Sequence, residues 1–485
     1  MKILSGLACA FLTIAMIGCG TTNDSMMVSP DGFGDNSNPQ LSEKYKDYEE
    51  NPFVSTTEQP VSTFSIDADG GSYSNMRRYI NSGQKPPKAS VRIEEYINFF
   101  TYNYSEPAAG ENVSINSEMA TCPWNTQHQL VRIGLKGKTL TESELGSSNF
   151  VFLIDVSGSM SSEDRLPLLK QGFKIMADGL KDDDRVAIVT YAGEAGVLLQ
   201  STKGSEKAKI KAAIDQLGAG GGTAGAAGIK TAYEIAVQNF IVKGNNRVIL
   251  GTDGDFNVGT SSTDELVKLI EEKRESGVYL TVLGFGTGNL NDEMMEQIAN
   301  KGNGNYEYID NSQQLKKVFI DERERLYTVA KDGKIQITFN PATVESYRLI
   351  GYENRSLNKE DFVDDKKDAG EIGSGQTITA LYEVVLKDIG DGIDYVNMDF
   401  RYKMPNEDVS RLLSHTIKVR PVEISKSSEN MRFVTAVTGL GLMMKESQHK
   451  GTLTKQMILD LANGARSFDP QGLRAEFIGL VQKMP

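Results

Sequence analysis

The sequence predicts an α/β protein, with a doubly wound, mostly parallel sheet inserted between β-rich flanking regions and C-terminal helices closing the chain. Three observations point there. Phe150-Val151-Phe152-Leu153-Ile154 is apolar without alternation, the mark of a strand buried on both faces of a parallel sheet. Apolar residues at helical spacing follow it, and the two patterns then alternate to about residue 327. On either side of that stretch the texture changes to short strands and turns.

In chain order, Lys2, an apolar run from Leu7 to Ile17 and then Gly18-Cys19 have the layout of a secretory signal, so residues 1–18 are expected to be removed. The run is shorter than the roughly 20 apolar residues that a spanning helix needs. Met16-Ile17-Gly18-Cys19 resembles a bacterial lipoprotein box, although positions 16 and 17 depart from the commonest Leu-Ala/Ser pattern. That resemblance implies cleavage before Cys19, lipidation of Cys19 and a membrane-anchored protein of the cell envelope. Residues 19–60 are rich in Thr, Asn, Asp, Ser, Gly and Pro and are expected to form a flexible tether. An N-terminal flanking region, 61–147, starts with a short strand, continues in helical stretches around Pro86-Pro87 and ends in strand-like alternation from Val113 to about Lys136.

The α/β domain spans 148–327. After the first strand, Leu166, Leu169, Phe173, Met176 and Leu180 place one helix face against the sheet. Strands follow at Val186–Thr190, Val248–Leu250, Val278–Leu283 and Tyr306–Ile309. Helices are marked by Ile210 to Leu217, Ile229 to Phe240 and Leu266 to Ile270, with a last helix running to about Tyr327. In the region 328–485, KIQITFN, YRLIGY, TITALYEVVL and YVNMDFRYKM read as a sandwich-like module, and three helices at roughly 429–446, 453–463 and 470–483 end the chain. Neither β-rich flank alone offers two complete sheets. The strands of 113–136 and of 334–425 are therefore expected to share one module into which the α/β domain is inserted.

Composition excludes several classes. With 65 acidic and 52 basic residues, the net charge of -13 sets up a field that repels phosphate backbones, so no nucleic acid partner is expected. Three histidines, His128, His415 and His449, have no metal-ligand spacing, and the cysteines form no CxxC pair, which removes zinc chemistry. Once Cys9 leaves with the signal and Cys19 is acylated, Cys122 has no disulfide partner and is expected as a small buried hydrophobe.

Polar residues collect where the strands of the α/β domain end. Asp155-Val156-Ser157-Gly158-Ser159 follows the first strand, Gly220-Gly221-Gly222-Thr223 leads into a helix, and Leu250-Gly251-Thr252-Asp253-Gly254 ends another strand. Ligands of doubly wound sheets bind in the crevice at these carboxyl ends. The donors are all hard oxygens, which suits Mg²⁺, with Mn²⁺ as a substitute. A set with few carboxylates leaves the ion electrophilic, so that a protein partner can complete its shell with an Asp or Glu.

DVSGS, GGGT and LGTDG, in that order and on those elements, resemble the metal-ion-dependent adhesion site of von Willebrand factor type A domains, whose fold is Rossmann-like. The resemblance implies that Ser157, Ser159 and Thr223 coordinate the ion directly or through water, and that Asp155 and Asp253 act mostly through bound water and hydrogen bonds. SIDADGGSYSNMRRYIN, VRIEEYINFF, LGTDGDFNVG and RLIGYENR with DDKKDAGEIGSG look like one group of bacterial type A lipoproteins, over nearly all of the mature chain.

Other features carry less. Asp67-Ala68-Asp69-Gly70 lacks the remaining ligands of a calcium loop and reads as a solvated turn. Ile229 stands where a phosphate loop needs Gly before Lys230. Lys366-Lys367 reads as a solvated turn. A metal-dependent hydrolase is the alternative from another class, but no histidine lies near these loops to act as base, so no enzyme is expected. A structural envelope scaffold with no metal-dependent ligand is the second alternative.

Overall fold

The computed structural model describes residues 43–193, 195–221, 225–254, 263–387, 394–418 and 420–485, so Cys19 and Thr223 lie outside the described residues. In the central sheet six strands run in the order Tyr306–Ile309, Tyr279–Phe285, Asn245–Thr252, Ser148–Asp155, Arg185–Tyr191 and Ala195–Lys203. Every pairing is parallel except the last. The continuous apolar run has a direct cause. Val151 and Leu153 pack with Ile229, Ala232 and Tyr233 on one face, whereas Phe152 and Ile154 pack with Leu169, Phe173 and Met176 on the other. The sheet is thus wound on both sides, with helix Leu166–Asp178 on one face and helix Gly225–Gln238 on the other.

Strands from before and after this domain form one module. Strand Gln129–Gly137 pairs antiparallel with Thr377–Leu386, in register from Gln129 opposite Val384 to Lys136 opposite Thr377. In a second sheet Val61–Ser65 pairs with Thr328–Phe339. Between the two sheets Val131, Ile133, Leu135 and Tyr382 meet Phe64, Ile335, Ile337 and Phe400 in one core. The α/β domain is therefore an insertion in a β-sandwich. A helical layer completes the fold. The C-terminal helices Glu429–Met444, Lys455–Asn463 and Leu473–Lys483 pack with helices Gly71–Asn81 and Ile93–Asn98, where the Phe100 ring lies 4.9 Å from Phe433 and 5.9 Å from Phe477.

Two elements differ from expectation. Residues 43–60 belong to the folded body rather than to a tether: Lys44 bridges to Asn291, Val54 and Ser55 pair with Tyr347 and Ser346, and the Thr56 hydroxyl donates to the Val344 carbonyl at 2.6 Å. Their anchors are strand pairing and isolated polar contacts, such as Glu43 with Arg78 and Asn51 with the Leu349 and Gly351 carbonyls, which leave no apolar periodicity to read. The last helix of the inserted domain stops early. It continues from Ser312–Lys316 into a wider turn, Lys317–Asp321, and a tight one, Arg323–Leu326, where buried Lys317 lies 2.9 Å from Glu322 and the chain redirects into strand Thr328–Phe339. Cys122 is fully buried, as expected, and burial raises its thiol pKa.

Candidate metal centre

Strands Ser148–Asp155 and Asn245–Thr252 are parallel neighbours, with Ile154 opposite Gly251, so their carboxyl ends set Asp155 and Asp253 side by side. The first strand has its sequence successor on one side and a later strand on the other, which makes this the switch point of the sheet. Both carboxylates are fully buried. Asp155 organises its own loop: one oxygen accepts from the Ser157 N–H at 2.9 Å, the other from the Tyr191 hydroxyl at 3.2 Å and the Thr252 hydroxyl at 3.1 Å. Burial raises its pKa, and the charge of Asp253 adds to the effect.

The hydroxyls of Ser157 and Ser159 lie 3.0 Å apart. Two oxygens on adjacent corners of an octahedron with bonds of about 2.1 Å are separated by about 3.0 Å, so this pair fits one edge of a Mg²⁺ shell. The glycine-rich loop is stitched to the same segment, since the Gly220 N–H donates to the Val156 carbonyl at 2.7 Å and the Gly158 N–H to the Gly221 carbonyl at 3.3 Å. Gly221 sits at φ +96°, a left-handed conformation that glycine adopts without strain. The described part of the loop, Gly220 and Gly221, thus lies beside the Ser157 segment.

Two residues of the site escaped the sequence reading. Asn289 donates to Asp253 Oδ2 at 2.9 Å, and Arg165 donates to the same oxygen at 3.0 Å. Arg165 also donates to the carbonyls of Ser159 and Thr287 and to Asn289 Oδ1, each at 2.6 Å. Arg165 ends the DVSGS loop as helix Leu166–Asp178 begins, and Asn289 comes from a loop across the crevice; neither belongs to a recognisable motif. With Arg165 included, the two carboxylates leave one net negative charge. A bound divalent ion would turn that into one net positive charge facing solvent.

A second cluster corrects an expectation. Asp67 and Asp69, read as a solvated turn, are 3% and 2% exposed. Asp67 accepts from Arg355 Nε at 3.1 Å and Asp69 from the Tyr306 N–H at 2.8 Å. Nearby, Arg92 binds Glu95 and donates to Asp292 at 2.5 Å, and Arg355 reaches Glu296 at 3.5 Å. The SIDADGG, VRIEEY and GYENR segments therefore converge on helix Asp292–Lys301 of the inserted domain. Their charged residues hold that domain against its flank.

Comparison with known proteins follows the same divisions. The family described as von Willebrand factor type A domain matches residues 149–321, the one described as von Willebrand factor matches 39–132, and the one described as uncharacterized protein YfbK, C-terminal, matches 324–395 and 390–485. The chain is 41% identical over 465 residues to the uncharacterized protein YfbK of Escherichia coli (strain K12), covering 90% of this chain and 80% of that one. A von Willebrand factor type A structure from Catenulispora acidiphila aligns at 15% identity and TM-score 0.46 over 79% of this chain and 91% of that one. The ArnB paralog VWA2 from Sulfolobus acidocaldarius aligns at 14% identity and TM-score 0.39, over 77% and 97%. Matched over 90% of its length by one relative and from residue 39 onward by three successive family descriptions, the chain belongs to the YfbK family and carries a von Willebrand factor type A domain at its centre.

Proposed function

We propose that this protein is a lipid-anchored cell-envelope protein, tethered through Cys19, that binds a protein partner through a divalent ion held by Asp155, Ser157, Ser159, Thr223 and Asp253. The ion is Mg²⁺, with Mn²⁺ as a substitute. One observation supports the reading above the others: the serine hydroxyls stand 3.0 Å apart beside two buried carboxylates at the switch point of the sheet. Such an ion would supply a Lewis-acidic corner for a carboxylate from the partner. Arg165, by compensating Asp253, leaves the loaded site positive and favours an acidic side chain over a neutral one.

Binding fits the site better than catalysis. A serine nucleophile needs a base within hydrogen-bond reach. His128 is bound to Glu383, His415 to Ser117, and His449 packs on Phe53, all in the flanking regions. The two carboxylates are occupied by the contacts described above. The test is association of the full chain with detergent-solubilised envelope. Mg²⁺-dependent capture of a defined protein, reversed by chelator and lost in Ser157→Ala/Ser159→Ala, supports the reading. Capture indifferent to chelator, or turnover of ester or phosphoester substrates, contradicts it.

A further inference from the structure

Asn289 reaches Asp253 from the loop 286–291, which joins strand Tyr279–Phe285 to helix Asp292–Lys301. Gly286 and Gly288, at φ +76° and +91°, let this loop fold against Arg165, whose side chain occupies the space that a Cβ at Gly286 would need. Arg165 donates to the Thr287 carbonyl and to Asn289, and the Tyr308 hydroxyl donates to the Gly286 carbonyl at 2.8 Å. These contacts leave the Gly288 N–H and the Leu290 carbonyl to be satisfied from elsewhere in the chain.

The segment that begins at residue 43 satisfies both. Glu43 accepts from the Gly288 N–H at 2.9 Å. The Lys44 N–H donates to the Leu290 carbonyl at 2.8 Å, and the Lys44 carbonyl accepts from the Asp292 N–H at 3.2 Å. Glu43 is itself fixed, since its second oxygen accepts from the hydroxyls of Tyr45 and Tyr79 at 2.6 and 2.7 Å and from Arg78 Nη2 at 2.6 Å. Arg78 lies over the Tyr79 ring, 4.3 Å from its centroid, and bonds Asn75 at 2.7 Å on helix Gly71–Asn81. Burial pushes the Glu43 carboxyl up, but the bonds from Gly288, Tyr45 and Tyr79 and the charge of Arg78 outweigh it and hold the group below the ordinary carboxylate range. An ionised carboxylate thus joins a helix of the flank to the loop behind Asp253. In sequence the segment follows directly on the stretch that leads from Cys19.

We propose that Glu43 is a positioning residue of the metal centre: through the Gly288 N–H it sets the loop that presents Asn289 to Asp253, so that displacing the strap 43–46 lowers the affinity for the ion. The proposal rests on the metal reading above and adds to it a route from the Cys19 end of the chain to the site. Arg165 gives the coupling its direction. With the loop displaced, the guanidinium loses the Thr287 carbonyl and Asn289 as acceptors. It then turns the freed donors on Asp253 and competes with the ion for that carboxylate. Coupling between two sites is reciprocal, so a bound ion tightens the strap in turn.

Two measurements on the full chain test this. In the unsubstituted protein, saturating Mg²⁺ should slow hydrogen exchange of the amides of residues 44–48 by about fivefold or more. A strap that only supports the fold would not respond to the ion, and this readout requires no variant to fold. In calorimetric titration Glu43→Ala should weaken Mg²⁺ binding by about fivefold or more. Thr56→Val, which frees the same segment where it meets strand Val344–Ile350, should leave that affinity unchanged. Exchange at 44–48 indifferent to bound Mg²⁺, or equal affinity in Glu43→Ala, overturns the proposal and leaves the metal reading standing. No binding of Mg²⁺ to the unsubstituted chain overturns both.

Discussion

Arg165 donates from Nη1 to Asp253 Oδ2 at 3.0 Å and from the same nitrogen to the Ser159 carbonyl at 2.6 Å, tying two loops of the candidate metal centre together with one positive charge. Removing that charge acts on both partners of the site in opposite senses. Arg165→Gln should tighten Mg²⁺ binding about fivefold, or ~1 kcal/mol, because the cation no longer faces a guanidinium. The same change should weaken capture of an acidic partner and lower the melting temperature of the metal-free protein, since buried Asp253 loses its counter-charge. Calorimetric titration and thermal unfolding with and without Mg²⁺ measure both effects; looser Mg²⁺ binding would contradict this electrostatic role.

Gly254 fixes the loop that carries Asn289. It sits at φ +85°, and a Cβ there would lie 2.7 Å from the Asn291 nitrogen. Gly254→Ala should cost about 1–2 kcal/mol of stability through backbone strain. By displacing Asn289 from Asp253 it should also weaken Mg²⁺ binding. Chemical denaturation and Mg²⁺ titration of the same variant check the pair of effects, and unchanged Mg²⁺ affinity would separate this loop from the site.

Glu371 sets a pH dependence. It is buried, and burial together with the charges of Asp368 and Asp332 holds its pKa well above the ordinary 4.5, against the opposing pull of Arg274 and Arg247. A carboxyl whose folded pKa is raised binds more protons folded than unfolded, so its contribution to stability falls as pH rises from about 4.5 toward the folded value. Glu371→Gln should therefore flatten the loss of melting temperature on going from pH 5 to pH 8. A variant whose profile parallels that of the unsubstituted protein would show that Glu371 is not the group responsible.

Lipidation is tested directly. Cys19→Ala should move the protein from the membrane to the soluble fraction, and mass spectrometry of the mature protein should find an acylated N-terminal Cys19. An unmodified mature N-terminus elsewhere would remove the anchor from the account.

Legibility in the sequence followed the kind of force that builds each element. Strands such as Phe150–Ile154 and helices such as Leu166–Asp178 bury wide apolar faces, and hydrophobic periodicity reports them. Edge strand Ala195–Lys203 is largely exposed, and helix Asp292–Lys301 spends part of its buried face on Asp292 and Glu296; both escaped a reading that looks for apolar stripes. The candidate metal centre was legible through its motifs because the proposed ligands lie in three short sequence segments. Asp67 and Asp69 were misread because charged residues are normally solvated, and their partners, Arg355 and the Tyr306 N–H, are distant in sequence. Likewise Arg165 and Asn289 reach Asp253 only through tertiary packing.

Titration of Mg²⁺ into the full chain, compared with Asp253→Asn, tests the central claim most directly. Asparagine is chosen because alanine would leave Arg165 and Asn289 without their acceptor on a fully buried residue. The account expects saturable binding of Mg²⁺, and of Mn²⁺ in its place, with a rise in stability of about 2.7 kcal/mol at a hundredfold excess over Kd. Both should be lost in Asp253→Asn while the variant remains folded. No detectable binding of either ion at millimolar concentration, or binding identical in Asp253→Asn, would contradict a metal centre at Asp155, Ser157, Ser159, Thr223 and Asp253.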